Sequence, residues 1–205
     1  MTTDPLLKYR EQHKHRLNYM PWLYWSLKPK HREWAEAWQA EYQAYLMEME
    51  TIEIGKNCFI SPLAHIFAER GRKISIGDNT FIAADCTLHG PLEIGNEVAI
   101  NHHCILDGGR AGIKLHDQVR IAAYSHLYAF DHGMDLDRPI YQQAVTSKGI
   151  EIGRDVWLGA HVGIKDGVKI GHHAVVGMNS MVTKNIEDFA IVAGNPARLI
   201  RYRTE

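Results

Sequence analysis

From Ile54 onward the chain sets an aliphatic side chain at every sixth position. The first run is Ile54, Ile60 and Ile66; the second is Ile76, Ile82, Leu88, Ile94, Ile100 and Leu106. A third holds Leu115, Ile121 and Leu127, and a fourth Ile152, Leu158, Ile164, Ile170, Val176 and Val182. All 18 marker positions are Ile, Leu or Val. Neither the 3.6-residue period of an amphipathic helix nor the 2-residue period of a half-buried strand asks for this spacing. A hexapeptide solenoid does: each repeat supplies one short strand and one turn, and three repeats close a triangular coil with the markers stacked inside. Eighteen repeats predict six coils. At about 4.8 Å per strand layer they form a prism roughly 25–30 Å tall. Each coil covers the strand edges of the last, so unpaired backbone is left only at the two ends.

A second register lies four residues after the marker, where small or β-branched side chains dominate: Cys58, Ala64, Thr80, Cys86, Val98, Cys104, Val119, Ser125, Val156, Val162, Val168, Ala174 and Ser180. All three cysteines fall in it, which reads them as small interior residues and not as reactive thiols. Their odd number and wide spacing suit neither a disulfide framework nor a zinc knuckle. Glycine recurs directly after the marker, as at Gly77, Gly95, Gly159 and Gly177, where a repeated turn has an awkward φ or crowded backbones.

Residues 1–50 do not keep the beat. HREWAEAWQAEYQAYLMEME sets Trp34, Trp38, Tyr42, Tyr45 and Leu46 at helical spacing, after the aromatic-dense NYMPWLYWSLKPK. The expectation is a helical, aromatic-rich extension that covers an open end or a face of the solenoid, with an aromatic acceptor site as the alternative. Its mixed charges speak against a membrane-surface anchor or stable membrane insertion. The solenoid follows over 51–184. In the tail, 185–205, GN and NP mark turns before a short basic segment.

Charge narrows the functional classes. The chain of 205 residues carries 23 basic and 24 acidic side chains, a net charge of -1, with no long run of either sign. Nucleic-acid binding by bulk electrostatics is not expected. MTTDPLLKYR lacks the apolar core of a secretory signal and no segment is long enough to span a bilayer, so a cytoplasmic location is the expectation.

Thirteen histidines are present, and the nine within the coils never occupy a marker position. They read as polar residues of turns and outer faces. His132 differs. It lies in AFDHGMDLDRP, within a stretch over 128–149 where the beat stops and then resumes in register. Insertions in solenoids project on one face and often bear function, and loops this long are seldom idle. Asp131, Asp135 and Asp137 flank this histidine, and Pro139 stiffens the exit.

The IGxxxxIGxxxxI pattern closely resembles the left-handed β-helix hexapeptide acyltransferases. YAFDHGMDLDRPI, DVWLGA, SMVTK and AGNPARLIR, in that order, are similar to the galactoside/maltose O-acetyltransferases and to capsule and lipopolysaccharide sugar O-acetyltransferases. The resemblance covers roughly residues 74–201. It implies a mainly β fold: a left-handed parallel β-helix of about six triangular coils, with a tail folded back on the last of them. It implies acetyl transfer from acetyl-CoA to a hydroxyl or, less often, an amine, with a saccharide or glycoconjugate as acceptor. The family's catalytic histidine stands about 25 residues before the tryptophan of its VWLG-type motif, as His132 stands before Trp157. His132 would be the general base, and the backbone N–H of Ala160 the donor to the developing oxyanion. Asn101, Asp107 and Trp157 match acceptor-side positions. Asn101, Ala160, Met178, Thr183, Lys184, Arg198 and Arg201 match positions that contact coenzyme A. The family works as homotrimers with sites between subunits. Residues 1–50 depart from its familiar N-terminal sequence, so the acceptor's identity is not carried over.

Two other functions share the solenoid. A γ-class carbonic anhydrase requires three histidines on a metal, two of them five residues apart, a spacing no coil histidines here have. No metal is therefore expected. A catalytically silent scaffold is the other alternative, and the loop histidine argues against it.

Overall fold

The computed structural model describes residues 5–203. Helix α1 (Pro5–Tyr19), a 3-10 turn (Pro21–Ser26) and helix α2 (Pro29–Met49) precede the solenoid. Proline opens α2, where its fixed φ suits the first turn and its missing N–H is no loss. Among the described residues no helix is long and apolar enough to cross a membrane.

Six coils of three strands follow. They are β1 (Ile52–Ile54), β2 (Phe59–Ile60) and β3 (His65–Phe67); β4 (Ile74–Ile76), β5 (Phe81–Ile82) and β6 (Thr87–His89); and β7 (Leu92–Ile94), β8 (Ala99–Ile100) and β9 (Ile105–Asp107). Then come β10 (Ile113–Leu115), β11 (Arg120–Ile121) and β12 (His126–Tyr128); β13 (Ile150–Ile152), β14 (Trp157–Leu158) and β15 (Gly163–Ile164); and β16 (Lys169–Ile170), β17 (Val175–Val176) and β18 (Met181–Val182). The first strand of every coil joins one parallel sheet, the second another and the third another, giving three faces. The solenoid is a left-handed β-helix. The tail adds β19 (Ala190–Ala193), parallel on β17, and β20 (Arg198–Tyr202), antiparallel on β19.

The marker register is the core. Every marker is buried except Ile54, which is partly exposed in the first coil. The second register is buried throughout, and its polar members are bonded. Thr80 Oγ1 donates to the Gly95 carbonyl at 2.9 Å and accepts from Val98 N–H at 3.0 Å. Cys86 Sγ donates to the Asn101 carbonyl at 3.0 Å. Its thiol pKa is pushed up by the neighbouring Cys104 thiol and by burial, so it stays protonated and unreactive.

The glycine after the marker answers to crowding. A Cβ on Gly159 would lie 2.6 Å from the Met178 nitrogen of the next coil, and Gly159 is not among the positive-φ residues. The left-handed turn positions belong instead to the third residue after the marker, including Asn57, Asn79, Asp85, Glu97, His103, Gln118, Tyr124, Asp155, His161, His173 and Asn179. Asn and Asp tolerate that conformation best among non-glycine residues.

The extension covers both an end and a face. Gln39 lies buried across the first coil: its Nε2 donates to the Ile60 carbonyl at 3.1 Å and its Oε1 accepts from Ile60 N–H at 2.7 Å. One amide thus imitates the missing strand, and Gln43 repeats the contact on the Cys58 carbonyl at 2.9 Å. Phe59, Phe81 and Ala99 face outward from β2, β5 and β8 and are covered by Leu17, Tyr24, Ala35 and flanking tryptophans. We expect Gln39→Leu to orphan both polar groups of Ile60, at about 1–3 kcal/mol for each group left unpaired. A lowered denaturation midpoint in urea checks this; an unchanged midpoint would mean that α2 does not seal the end through this amide.

Candidate functional site

Uninterrupted coils take 18 residues, as from Ile74 to Leu92. The first coil takes 22, the third 21 and the fourth 37, by the pairings Ile52 to Ile74, Leu92 to Ile113 and Ile113 to Ile150. All three surpluses fall at one corner, between the third face and the first. The longest carries His132.

That loop is ordered by its own hydrogen bonds. Asp131 and Thr146 pair as an antiparallel bridge, with N–H to carbonyl distances of 2.9 and 2.8 Å. Gln143 ties the tip: its Oε1 accepts from Asp135 N–H, and its Nε2 donates to the carbonyls of Asp135 and Arg138, all at 2.8 Å. Lys165 pairs with Asp131 at 3.0 Å. The hydroxyl of Ser147 donates to the Ala129 carbonyl and accepts from the N–H groups of Arg110 and Ala111. At the return, the buried Asp166 carboxylate accepts from Lys148 N–H and Gly149 N–H at 2.9 Å each. His132 is exposed, its ring edge-on to Phe130 at 6.3 Å, and Phe130 is edge-on to Tyr128 at 5.8 Å. The backbone that presents the histidine is therefore held, while the imidazole stays open to a substrate.

Asp166 was not singled out in the sequence, because an acidic residue in a turn has no distinctive neighbourhood there. Asp166→Ala is expected to cost about 1–3 kcal/mol through the orphaned loop amides. Faster hydrogen exchange at Lys148 and Gly149 is the readout; unchanged exchange would show that the loop return is held otherwise.

Asp107 lies at the root of the same corner. It accepts from Gly109 N–H at 3.0 Å and faces Arg72 at 3.7 Å and His89 at 3.4 Å. The other ring nitrogen of His89 meets Glu69 at 3.1 Å, and this contact holds the Glu69 carboxyl below its ordinary pKa. A cleft of about 350 Å³ opens here, between Arg72, Asp107 and Arg110 on one side and Phe130 and Val145 on the other. Thr183 and Lys184 follow β18 at this corner of the last coil, both exposed.

The corner between the second and third faces holds a different group. Asn101, Ala160 and Met178 occupy it in the third, fifth and sixth coils. Asn101 Nδ2 donates to the Ile121 carbonyl at 2.9 Å. Ala160 N–H makes no backbone hydrogen bond among the described residues, and Met178 is 63% exposed. Beside them runs a ladder of left-handed turn residues, Asp85, His103, Tyr124 and His161, whose alignment at one corner the sequence did not reveal. Tyr124 stacks on His161 at 4.9 Å, and Tyr19 of α1 donates its hydroxyl to Asp85 at 2.9 Å. His102 sits against Tyr124 and His103, and partial burial, then His103, lower its pKa and favour the neutral ring. The third position after the marker is the signal that could have found this ladder.

Trp157 stands on the second face, 55% exposed, paired between Arg120 and Val175. Arg198 and Arg201 lie on β20 and are exposed. The chain therefore gathers His132, Asp107, Thr183 and Lys184 at one corner, and Asn101, Ala160 and Met178 at another. Trp157 is on the face opposite the loop's corner. Among the described residues no group of three or more His, Cys, Asp or Glu side chains is placed to hold a metal ion.

Comparison with known proteins places this geometry. Residues 149–184 match the family model described as bacterial transferase hexapeptide (six repeats), and residues 73–101 the model of the hexapeptide repeat of succinyl-transferase. A probable acetyltransferase of Mycobacterium tuberculosis is 32% identical over 136 residues, which is 66% of this chain and 44% of that protein. The galactoside O-acetyltransferase of Escherichia coli is 28% identical over 165 residues, 80% of this chain and 70% of that protein. Among solved structures, a mutant of AntD, an N-acyltransferase from Bacillus cereus in complex with dTDP and coenzyme A, superposes with a TM-score of 0.70. It is 32% identical, with 78% of this chain and 89% of that chain covered.

Proposed function

The chain belongs to the hexapeptide-repeat acyltransferases with a left-handed β-helix, and from that premise we propose that it is an acetyl-CoA-dependent O-acetyltransferase acting on a hydroxyl of a saccharide or glycoconjugate. One observation carries the reading. The long break in an otherwise regular scaffold is braced at its root, at its tip and at its return, and it presents an exposed histidine.

Acetyl-CoA supplies the acetyl group as a thioester. His132 takes the proton of the acceptor hydroxyl as its oxygen bonds to the acetyl carbon, and returns that proton to the sulfur as the carbon–sulfur bond breaks. Imidazole suits both transfers because its ordinary pKa lies near neutrality. The N–H of Ala160, without a backbone partner among the described residues, is the donor for charge on the carbonyl oxygen. The donor set at the C-terminal end fits coenzyme A: Lys184, Arg198 and Arg201 offer cations to its phosphates, and exposed Met178 offers apolar surface to its arm.

The two separated corners support an assembly in which the loop corner of one prism meets the Asn101 corner of the next. A homotrimer closes such a ring. Asn101, Asp107 and Trp157 then border the acceptor. The galactoside enzyme supports a sugar hydroxyl as acceptor. The N-acyltransferase AntD, also solved in complex with dTDP-4-amino-4,6-dideoxyglucose and coenzyme A, favours an amino sugar as the second reading. A mass-spectrometric screen of sugars, amino sugars and glycans with acetyl-CoA tests both. An acetylated product is expected; no product and no release of free coenzyme A would sink the enzyme reading.

A further inference from the structure

We infer that a groove between the N-terminal extension and the second face is a saccharide subsite, separate from the loop histidine, that holds an uncharged pyranose ring of a longer glycan. The inference shares its ligand class with the proposed function, but its own evidence is a different part of the molecule. The groove measures about 340 Å³ and is bounded by Trp22, Trp25 and Phe81 with Asn79, Glu97 and Arg120. That volume falls within the roughly 300–1,000 Å³ of small-molecule clefts, and so does the make-up, apolar walls with few polar groups.

Trp22 stays 50% exposed although the aromatic residues beside it are packed: Trp25 lies against Phe81 at 6.1 Å, and Phe81 is 5% exposed. An indole face is electron-rich, and the C–H bonds on one side of a pyranose present the complementary positive surface. Among the described residues the indole N–H of Trp25 is buried without a hydrogen-bond partner, a cost that structures seldom leave unexplained.

The polar rim matches hydroxyl groups, which both donate and accept. Glu97 accepts from Gln118 through Oε2 at 2.8 Å and keeps Oε1 for a ligand. Asn79 accepts from Asn57 through Oδ1 at 2.7 Å and keeps its amide N–H groups. The exposed Arg120 guanidinium has no hydrogen bond or ion pair among the described residues. Glu97 and Arg120 cancel in charge, which suits a neutral sugar better than a phosphate. Asn79 and Glu97 both occupy left-handed turn positions, each with φ of 55°, so stacked coils fix their backbones before any ligand arrives. The groove lies on the face opposite the corner from which the His132 loop springs.

Calorimetric titration of the full-length protein with maltopentaose, cellopentaose and β-1,4-galactopentaose tests this, with coenzyme A alone as a further arm. Binding of at least one pentasaccharide is expected, weakened tenfold or more in Trp22→Ala and in Arg120→Ala, and unchanged in His132→Ala. Arg120→Ala changes an exposed side chain, so it decides the matter if Trp22→Ala does not fold. No binding by any pentasaccharide, binding indifferent to both groove variants, or coenzyme A binding lost in them would overturn the inference. Binding is read without turnover, so an inactive protein that still binds glycan fails only the enzyme reading. An active one whose groove binds nothing fails only this inference.

Discussion

His132→Ala is expected to lower acetyl transfer by about 10²–10⁴-fold, the usual worth of a positioned general base, while the affinity for coenzyme A is unchanged. The separation follows from position. Apart from Asn101 in the third coil, the candidate coenzyme contacts lie at or beyond the last two coils, in Ala160, Met178, Thr183, Lys184 and β20, whereas His132 is held by a loop that leaves the scaffold after β12. Removing the imidazole-bearing side chain leaves the Asp131–Thr146 bridge and the Gln143 clamp intact, because both use other atoms. Single-turnover rates and calorimetry with coenzyme A check the two halves of the expectation. Near-normal turnover in the variant would remove His132 from the mechanism, and a parallel loss of coenzyme A binding would point to a collapsed loop.

Leu127→Ala should produce the largest loss of stability among single truncations considered. Leu127 is a marker on β12, fully buried between Leu106 below and Ile164 above. Truncation of such a side chain costs about 2–5 kcal/mol, because the transfer energy is lost and the neighbours collapse only partly into the space. A solenoid gives them little freedom to do so: each side chain is stacked on its counterpart in the coil on either side, at the register set by backbone pairing. For a chain of this size the melting temperature should fall by roughly 5–20 °C. Leu136→Ala is the internal comparison. Leu136 lies at the tip of the loop, fully exposed, and its removal should change stability by less than about 0.5 kcal/mol. Equal effects of the two substitutions would refute the assignment of the six-residue register to the core.

The contrast between these two leucines shows how much of the molecule could be read from the chain. The six-residue spacing led directly to six coils and to the buried residues, because a repeated marker has one economical solution in which every copy is covered by the next. The cysteines were placed with equal ease, since they share a register with valine, alanine and serine. The loop histidine was conspicuous for the opposite reason, as a gap in a regular signal. His103 and His161 were legible as turn residues, but their alignment at one corner with Asp85 and the aromatic Tyr124 was not, because a tyrosine does not announce a left-handed turn.

Other features had no linear signature at all. Gln39 imitates a strand only because α2 crosses the first coil at the right height. Asp166 reaches the loop return from a residue 17 positions away in the chain. Trp22 and Arg120 become neighbours of one groove only when the extension is laid on the second face. The sequence by itself determined the period, the coil number, the core and the one histidine set apart from the repeat, because these depend on spacing along the chain. Tertiary structure alone decided which corner carries every insertion, which candidate residues share a corner and which face the extension covers. Those depend on how far the chain turns before two residues meet, and spacing does not record that once the repeat is broken.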